Sequence, residues 1–282
     1  MNDVRLPAFI EPAARPTVTM SRRELVSGLA AGTVVAFSGA GLSGCTTNEA
    51  LGRRQLILVS DAELEAMSAS AWSEALRTQK QVSNPASRRR IAAIGDRIVR
   101  AADARNPGAN LTAKNWDYAV FEDDTVNAWV MPGGRVAFHS ALLDVTQNDD
   151  QVATVMGHEV GHVVGRHAAE RASQQMAAQG GMALANVALA DNENRNLIAG
   201  VLGAGVNLGV ILPYSRQHEY EADRLGTDYM VGADYRANEA IRFWDGMTQR
   251  NTRQSSAFMS THPSDESRIA TLRSYIGSQG YA

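Results

Sequence analysis

A chain of 282 residues, 44% hydrophobic and 20% charged, is long enough to bury one large core or two small ones. Its net charge of −3 and pI near 6.1 leave no electrostatic footprint for a nucleic-acid partner. No run of like charge marks a membrane or DNA patch, so the dispersed Arg, Asp and Glu read as solvated surface, and the single cysteine excludes an internal disulfide.

The chain divides into three stretches: an N-terminal extension with a signal-like segment over 1–45, a helical region over 46–110, and a larger domain over 111–282. Ser21-Arg22-Arg23 opens a mostly small, apolar run from Leu25 to Leu42, and Leu42-Ser43-Gly44-Cys45 closes it. A basic start, an apolar middle and small residues before a cut make a secretory signal. Cys45 at the cut resembles the lipobox of bacterial lipoproteins, in which that cysteine carries the lipid. Two export routes fit, because Ser21-Arg22-Arg23-Glu24-Leu25 resembles a twin-arginine signal and also suits an ordinary Sec signal. Met20 offers a second start that would remove the segment from Met1 to Thr19. The mature body is therefore expected outside the cytoplasm, tethered by lipid.

Ser60 and Glu63 stand at capping-box spacing before Leu64, Met67, Trp72 and Leu76, which predicts a helix from Ser60 to about Lys80. Asn84-Pro85 opens a second helix whose apolar face is Ile91, Ile94, Ile98 and Val99, and Asn106-Pro107-Gly108 ends it. Strands are expected at Trp116 to Glu122, Asn127 to Met131 and Arg135 to His139, the last two joined by Pro132-Gly133-Gly134.

A further helix begins near Asn148, with Gln151 as the partner of that cap, and is expected to run past Arg166. Within it Gly157, Gly161 and Gly165 recur every fourth residue, although glycine costs roughly 1 kcal/mol against alanine in a helix. Close packing along that seam is required, either of neighbouring backbone beside a site or within the core. Met176 to Leu212 is rich in Ala, Gly and Leu; its nearly charge-free part, Asn196 to Leu212, is short for a membrane span and holds several glycines, so the segment reads as a buried or interfacial helical hairpin. Helices are then expected from Ser215 through Leu225, from Ala237 to Thr248, and after Pro263 with Ser264 as cap.

The helix from Asn148 carries His158-Glu159-Val160-Gly161-His162. Residues four apart on a helix lie roughly 5–6 Å apart on one face, so both imidazoles can reach one metal ion with a carboxylate beside them. Imidazole nitrogen suits Zn²⁺, and three protein ligands leave a fourth position for water. Glu159 stands ready to take that water's proton and deliver it to a leaving amine. Glu219 and Asp223 are also four apart; one can bind the metal while the other accepts the second N–H of a ligand histidine. Glu219 is chosen as the ligand, and Glu221, roughly 160–200° away around the helix, is left on the surface. His167 is expected to cap or pack rather than join the metal. His218 projects roughly 100° off the ligand face, His139 ends a strand, and the four tryptophans read as core.

The ordered set His158-Glu159-Val160-Gly161-His162 and Arg216-Gln217-His218-Glu219-Tyr220-Glu221-Ala222-Asp223 resembles the zinc metallopeptidases that include HtpX and the CAAX prenyl proteases, and most closely their periplasmic, BepA-like branch. Asn127-Ala128-Trp129 with Pro132-Gly133-Gly134, and Thr261-His262-Pro263 with Arg268-Ile269, resemble two further elements of that family. The resemblance covers about Trp116 to Ile269. It implies an α+β, predominantly α-helical zincin-like fold with a small β-sheet beside the metal helix. It also implies one Zn²⁺ held by His158, His162 and Glu219, with Asp223, Arg216 and Arg268 in support. Asn127 and Ala128 would lie on an edge strand that pairs with an extended peptide. His262 would stabilise the oxyanion, or in a resting enzyme would occupy the fourth zinc position. The function so implied is extracytoplasmic hydrolysis of peptide bonds in unfolded or misassembled envelope proteins. An envelope chaperone that keeps zinc as structure, and a zinc hydrolase of cell-wall peptides, are the rival readings.

Overall fold

The computed structural model describes residues 45–188, 215–251 and 257–281. The expected export signal and the latter part of the Ala/Gly-rich hairpin lie outside them. The chain opens on an antiparallel hairpin, β1 (Cys45–Asn48) and β2 (Arg53–Leu56), for which the sequence shows no alternating pattern. Helix α1 (Asp61–Thr78) follows with the expected capping box, Ser60 accepting from Glu63 N and the Glu63 carboxylate reaching back to Ser60 N. Trp72 is buried on its inner face, whereas Met67, expected there too, is 67% exposed. Helix α2 (Pro85–Arg105) starts on the Asn84 cap and buries Ile91, Ile94, Ile98 and Val99 as its spacing requires.

Three strands follow: β3 (Asp117–Phe121), β4 (Ala128–Met131) and β5 (Arg135–His139). Strand β5 lies in the centre, parallel to β3 and antiparallel to β4, so β4 is an edge. The glycines of the β4–β5 turn have positive φ, 86° at Gly133 and 83° at Gly134, a conformation that other residues rarely adopt. Side chains alternate across the sheet. Tyr118, Val120, Val136 and Phe138 face the helices α2 and α4 in the main core, while Ala119, Phe121 and Ala137 face Trp72 of α1.

A short helix α3 (Ser140–Val145) leads to α4 (Asp149–Val164), whose first turn is capped by Asn148 accepting from Gln151 N. The expected continuous helix past Arg166 is not formed. Gly165 caps α4, Arg166 turns into the left-handed region at φ 52°, and a new helix α5 (His167–Ala188) begins. The end of α4 is covered by the opening hairpin: Asn48 donates to Val164 O at 2.9 Å and Gln55 to Gly165 O at 2.7 Å. These bonds satisfy carbonyls that a helix end leaves without partners.

Helix α6 (Arg216–Gly232), capped by Ser215, packs along α4. The remaining described helices are α7 (Asn238–Asn251), α8 (Ala257–Thr261) and α9 (Glu266–Ser278). The α9 cap is Asp265, accepting from Arg268 N, and not Ser264 as expected. Both residues have capping side chains, and the hydrogen bond selects the second. The fold is thus predominantly helical α+β, with a small sheet against the metal helix. Its main core runs from Ile91 to Ile276, and no described helix is long and apolar enough to cross a membrane.

The glycine seam has a direct cause. A Cβ on Gly161 would lie 2.7 Å from Ala222 O, and one on Gly157 2.8 Å from Gly226 O. Neighbouring backbone, unlike a side-chain tip, cannot swing away. Gly161→Ala should therefore destabilise by about 1–3 kcal/mol through overpacking. Gly246→Ala, whose Cβ would meet nothing within 4 Å, should be neutral or stabilise by up to about 1 kcal/mol. Thermal melting followed by circular dichroism checks both, and equal midpoints for the two variants would refute the seam as a constraint.

Candidate metal centre

Helix α4 turns His158, Glu159 and His162 into the interior, where all three are buried. From α6, held against α4 by the glycine seam, come Glu219 and Asp223; from the residue after α8 comes His262. Ligand atoms of His158, His162, Glu219 and His262 lie within 4.8 Å of one another. His158 Nε2 is 3.1 Å from His162 Nε2 and 3.1 Å from His262 Nδ1. Oxygens of Glu219 lie 3.4 Å from His158 Nε2, 3.4 Å from His162 Nε2 and 3.2 Å from His262 Nδ1. Separations of this size are those between donors that share one metal ion, whose bonds to nitrogen and oxygen are about 2 Å long. The donor set therefore fits a single divalent ion.

The supporting contacts converge on Arg268. Its guanidinium meets Asp223 through Nε at 2.6 Å and Nη2 at 2.8 Å, and Glu219 through Nη1 at 2.6 Å. Nη1 also donates to Pro263 O at 2.9 Å, so the same cation holds the backbone beside His262. Trp244 lies under Arg268, 3.9 Å from ring centroid to guanidinium carbon, and edge-on to His158. Asp223 Oδ1 lies 2.9 Å from His158 Nδ1, the arrangement that orients a ligand imidazole. Arg216 does not reach this cluster; it is 75% exposed and pairs with Asp265.

Burial would raise the Glu219 carboxyl, but Arg268 and His158 hold it well below the usual range, ready to bind a cation. Glu159 goes the other way: burial raises it, and the nearby histidines only partly oppose this. Its Oε1 is buried without a hydrogen-bond partner among the described residues and lies 3.4 Å from His262 Nε2. Strand β4 packs against the helix that carries this carboxylate. Asn127 precedes this strand and Ala128 opens it, its edge position being the one expected. Asn127 O pairs with His139 N, so by ladder alternation the backbone groups of Ala128 and Val130 point to the open edge. A cleft of about 530 Å³ lies beside them, bordered by Val130, Pro132, His162 and Leu64.

Behind the site lies a second polar cluster that helical spacing does not reveal. Glu221, expected on the surface, is only 14% exposed and accepts from Arg53 Nε at 2.6 Å and Nη2 at 2.8 Å. Arg53 also grips Glu170 with two bonds of 2.8 Å. His167 packs between His162 and Glu221 and stacks on His218, which meets Glu170 at 3.1 Å. The helical wheel places Glu221 opposite Glu219 correctly, but that side is covered by the opening hairpin. His167 turns back toward His162 because the helix breaks at Gly165-Arg166, where the sequence predicts that it continues.

Fold and site together are those of a metallopeptidase. The sequence matches Peptidase family M48 over residues 85–276, and the chain belongs to that family. It is 33% identical over 163 residues to the mitochondrial metalloendopeptidase OMA1 of Schizosaccharomyces pombe, covering 57% of this chain and 47% of that protein. It is 29% identical to the beta-barrel assembly-enhancing protease of Escherichia coli K12 over 68% of this chain and 39% of the other, and 26% identical to metalloprotease YcaL of the same organism over 86% and 96%. The chain thus spans about half the length, or less, of the OMA1 proteins it matches.

The Arg53 clasp makes a prediction with a sign. Burial raises Glu170 and Glu221, but hydrogen bonds from Arg53 outweigh it and hold both below the ordinary carboxylate range. A carboxyl depressed in the folded state contributes stability fully above its unfolded pKa of about 4.3 and loses it as pH falls through the lowered folded value. Arg53→Met should cost about 1–3 kcal/mol at pH 7, discounted for partial exposure. The gap to wild type should close below about pH 5. Urea unfolding at several pH values reads this directly, and a gap that stays constant to pH 3 would contradict it.

Proposed function

We propose that this protein is a zinc-dependent endopeptidase that cleaves unfolded or misassembled envelope proteins outside the cytoplasm, tethered by a lipid on Cys45. The observation that carries the catalytic part is the buried set of His158, His162, Glu219 and His262, with ligand atoms within 4.8 Å of one another and Glu159 beside them. Borderline nitrogen ligands with one carboxylate suit zinc. Bound there, zinc would act as a Lewis acid and lower the pKa of water to about 7.

The chain's own residues supply the rest. An extended substrate adds to the edge of β4, pairing with the backbone at Ala128 and Val130, which tolerates varied side chains. Glu159, its pKa raised by burial, accepts a proton from the attacking water and returns it to the leaving amine. His262 has two positions in this reading. With Nδ1 among the metal donors it blocks the fourth place; displaced, it donates to the carbonyl oxygen as negative charge develops. Asp223 and Arg268 keep His158, Glu219 and the His262 backbone in register.

The four-protein donor set also favours a second reading, a structural zinc in an assembly factor, because structural sites close their fourth position with protein. Glu159→Gln separates the two. The variant should bind zinc as wild type does and lose at least about 100-fold of chelator-sensitive casein cleavage. Cleavage at the full rate would overturn the mechanism, and absence of cleavage by wild type would favour the structural zinc. Purified cell-wall fragments, run alongside casein, test the third substrate class.

The compartment rests on the lipobox-like segment ending at Cys45, which is exposed at the start of β1. The name of the Escherichia coli relative, a beta-barrel assembly-enhancing protease, agrees with an envelope role. Cys45→Ser should move the protein from the membrane to the soluble fraction. A variant that still sediments with membranes would refute the tether.

A further inference from the structure

His158 and His162 are oriented differently. The first meets a carboxylate directly, whereas His162 Nδ1 lies 2.8 Å from His167 Nδ1. His167 Nε2 in turn lies 3.1 Å from Glu221 Oε2, and Arg53 pairs with both oxygens of Glu221. Only one assignment of hydrogens satisfies this row while leaving His162 able to bind a cation. With its Nε2 lone pair free for the metal, His162 carries its hydrogen on Nδ1 and donates it to His167. His167 must then accept through Nδ1 and donate from Nε2 to the Glu221 carboxylate. The opposite tautomer of His167 would set N–H against N–H. His162 would then keep its hydrogen on Nε2, facing the metal position.

We infer that His167 is a positioning residue, which with Glu221 and Arg53 selects the metal-binding tautomer of His162 and so sets the affinity of the centre from the opening hairpin. The row is the carboxylate–histidine–metal arrangement lengthened by one imidazole. Its setting is closed to water: His167 is fully buried, stacked on His218 on one side, and the clasp of Arg53 on Glu170 and Glu221 fixes the far end. Both oxygens of Glu221 accept from Arg53 there, at 2.6 and 2.8 Å.

This inference rests on the metal reading above, and zinc binding tests it without reference to peptidase activity. The full chain is titrated with zinc against a chromophoric chelator, and the cobalt-loaded form is followed by its visible absorption. His167→Leu should weaken zinc binding by about 10–100-fold, the usual cost of losing an outer partner of a ligand histidine, and should shift the cobalt bands. His167→Gln keeps one acceptor and one donor and should restore affinity to within about 5-fold. Glu221→Ala leaves the imidazole pair in place but frees its tautomer, and should weaken binding in the same direction if the leucine variant does not fold. Metal-free melting temperatures separate a general loss of stability from a loss of affinity. A folded His167→Leu or Glu221→Ala chain that binds zinc within about 2-fold of wild type, with unchanged cobalt bands, would overturn the assignment. A wild-type chain that binds no zinc would overturn the metal reading and this inference with it.

Discussion

The near-contact of two backbones makes this centre possible. Gly157 and Gly161 on α4 meet Ala222 and Gly226 on α6 at distances no larger side chain would allow. Each helix repeats small residues and functional residues with the same four-residue step. Closing the seam therefore brings His158 and His162 to Glu219 and Asp223 in one movement. The roughly 1 kcal/mol that each helical glycine costs is offset by the packing and by the hydrogen bonds that proximity permits.

Bringing so many charges inside requires compensation, and two arginines from distant parts of the chain provide it. Arg268 neutralises Glu219 and Asp223 on the substrate side, while Arg53 neutralises Glu170 and Glu221 on the far side. Their planar guanidinium groups suit the task, since one fork can serve two carboxylates at once. Each arginine also binds another part of the fold to the metal helix region. Arg268 brings α9 and the His262 backbone, and Arg53 brings the opening hairpin.

Local patterns reported the elements and which residues of α4 and α6 come together, because both depend on near neighbours in sequence. The Ser60–Glu63 box, Asn84-Pro85 and the alternation of β3 and β5 fold as their chemistry requires. Spacing of four along α4 and α6 likewise picks out His158, His162, Glu219 and Asp223. What escaped was everything decided by distant chain. Glu221 faces away from Glu219, as the wheel says, yet a strand some 168 residues earlier covers it. The short hairpin carrying Arg53 has no periodicity to announce it. Arg216 lies one residue past its helix cap and turns to solvent, where it meets Asp265. A left-handed Arg166 redirected His167, which a continuous helix would have carried away from the site.

Strand β4 packs against α4, which fixes its ladder relative to Glu159 and the two histidines of that helix. Strand pairing admits only registers that differ by two residues, since intermediate shifts turn a peptide's hydrogen-bonding groups the wrong way. A polypeptide laid along β4 would then be measured in steps of two residues from a fixed mark. Where it is cut becomes a matter of counting along the main chain, with little reading of side-chain identity.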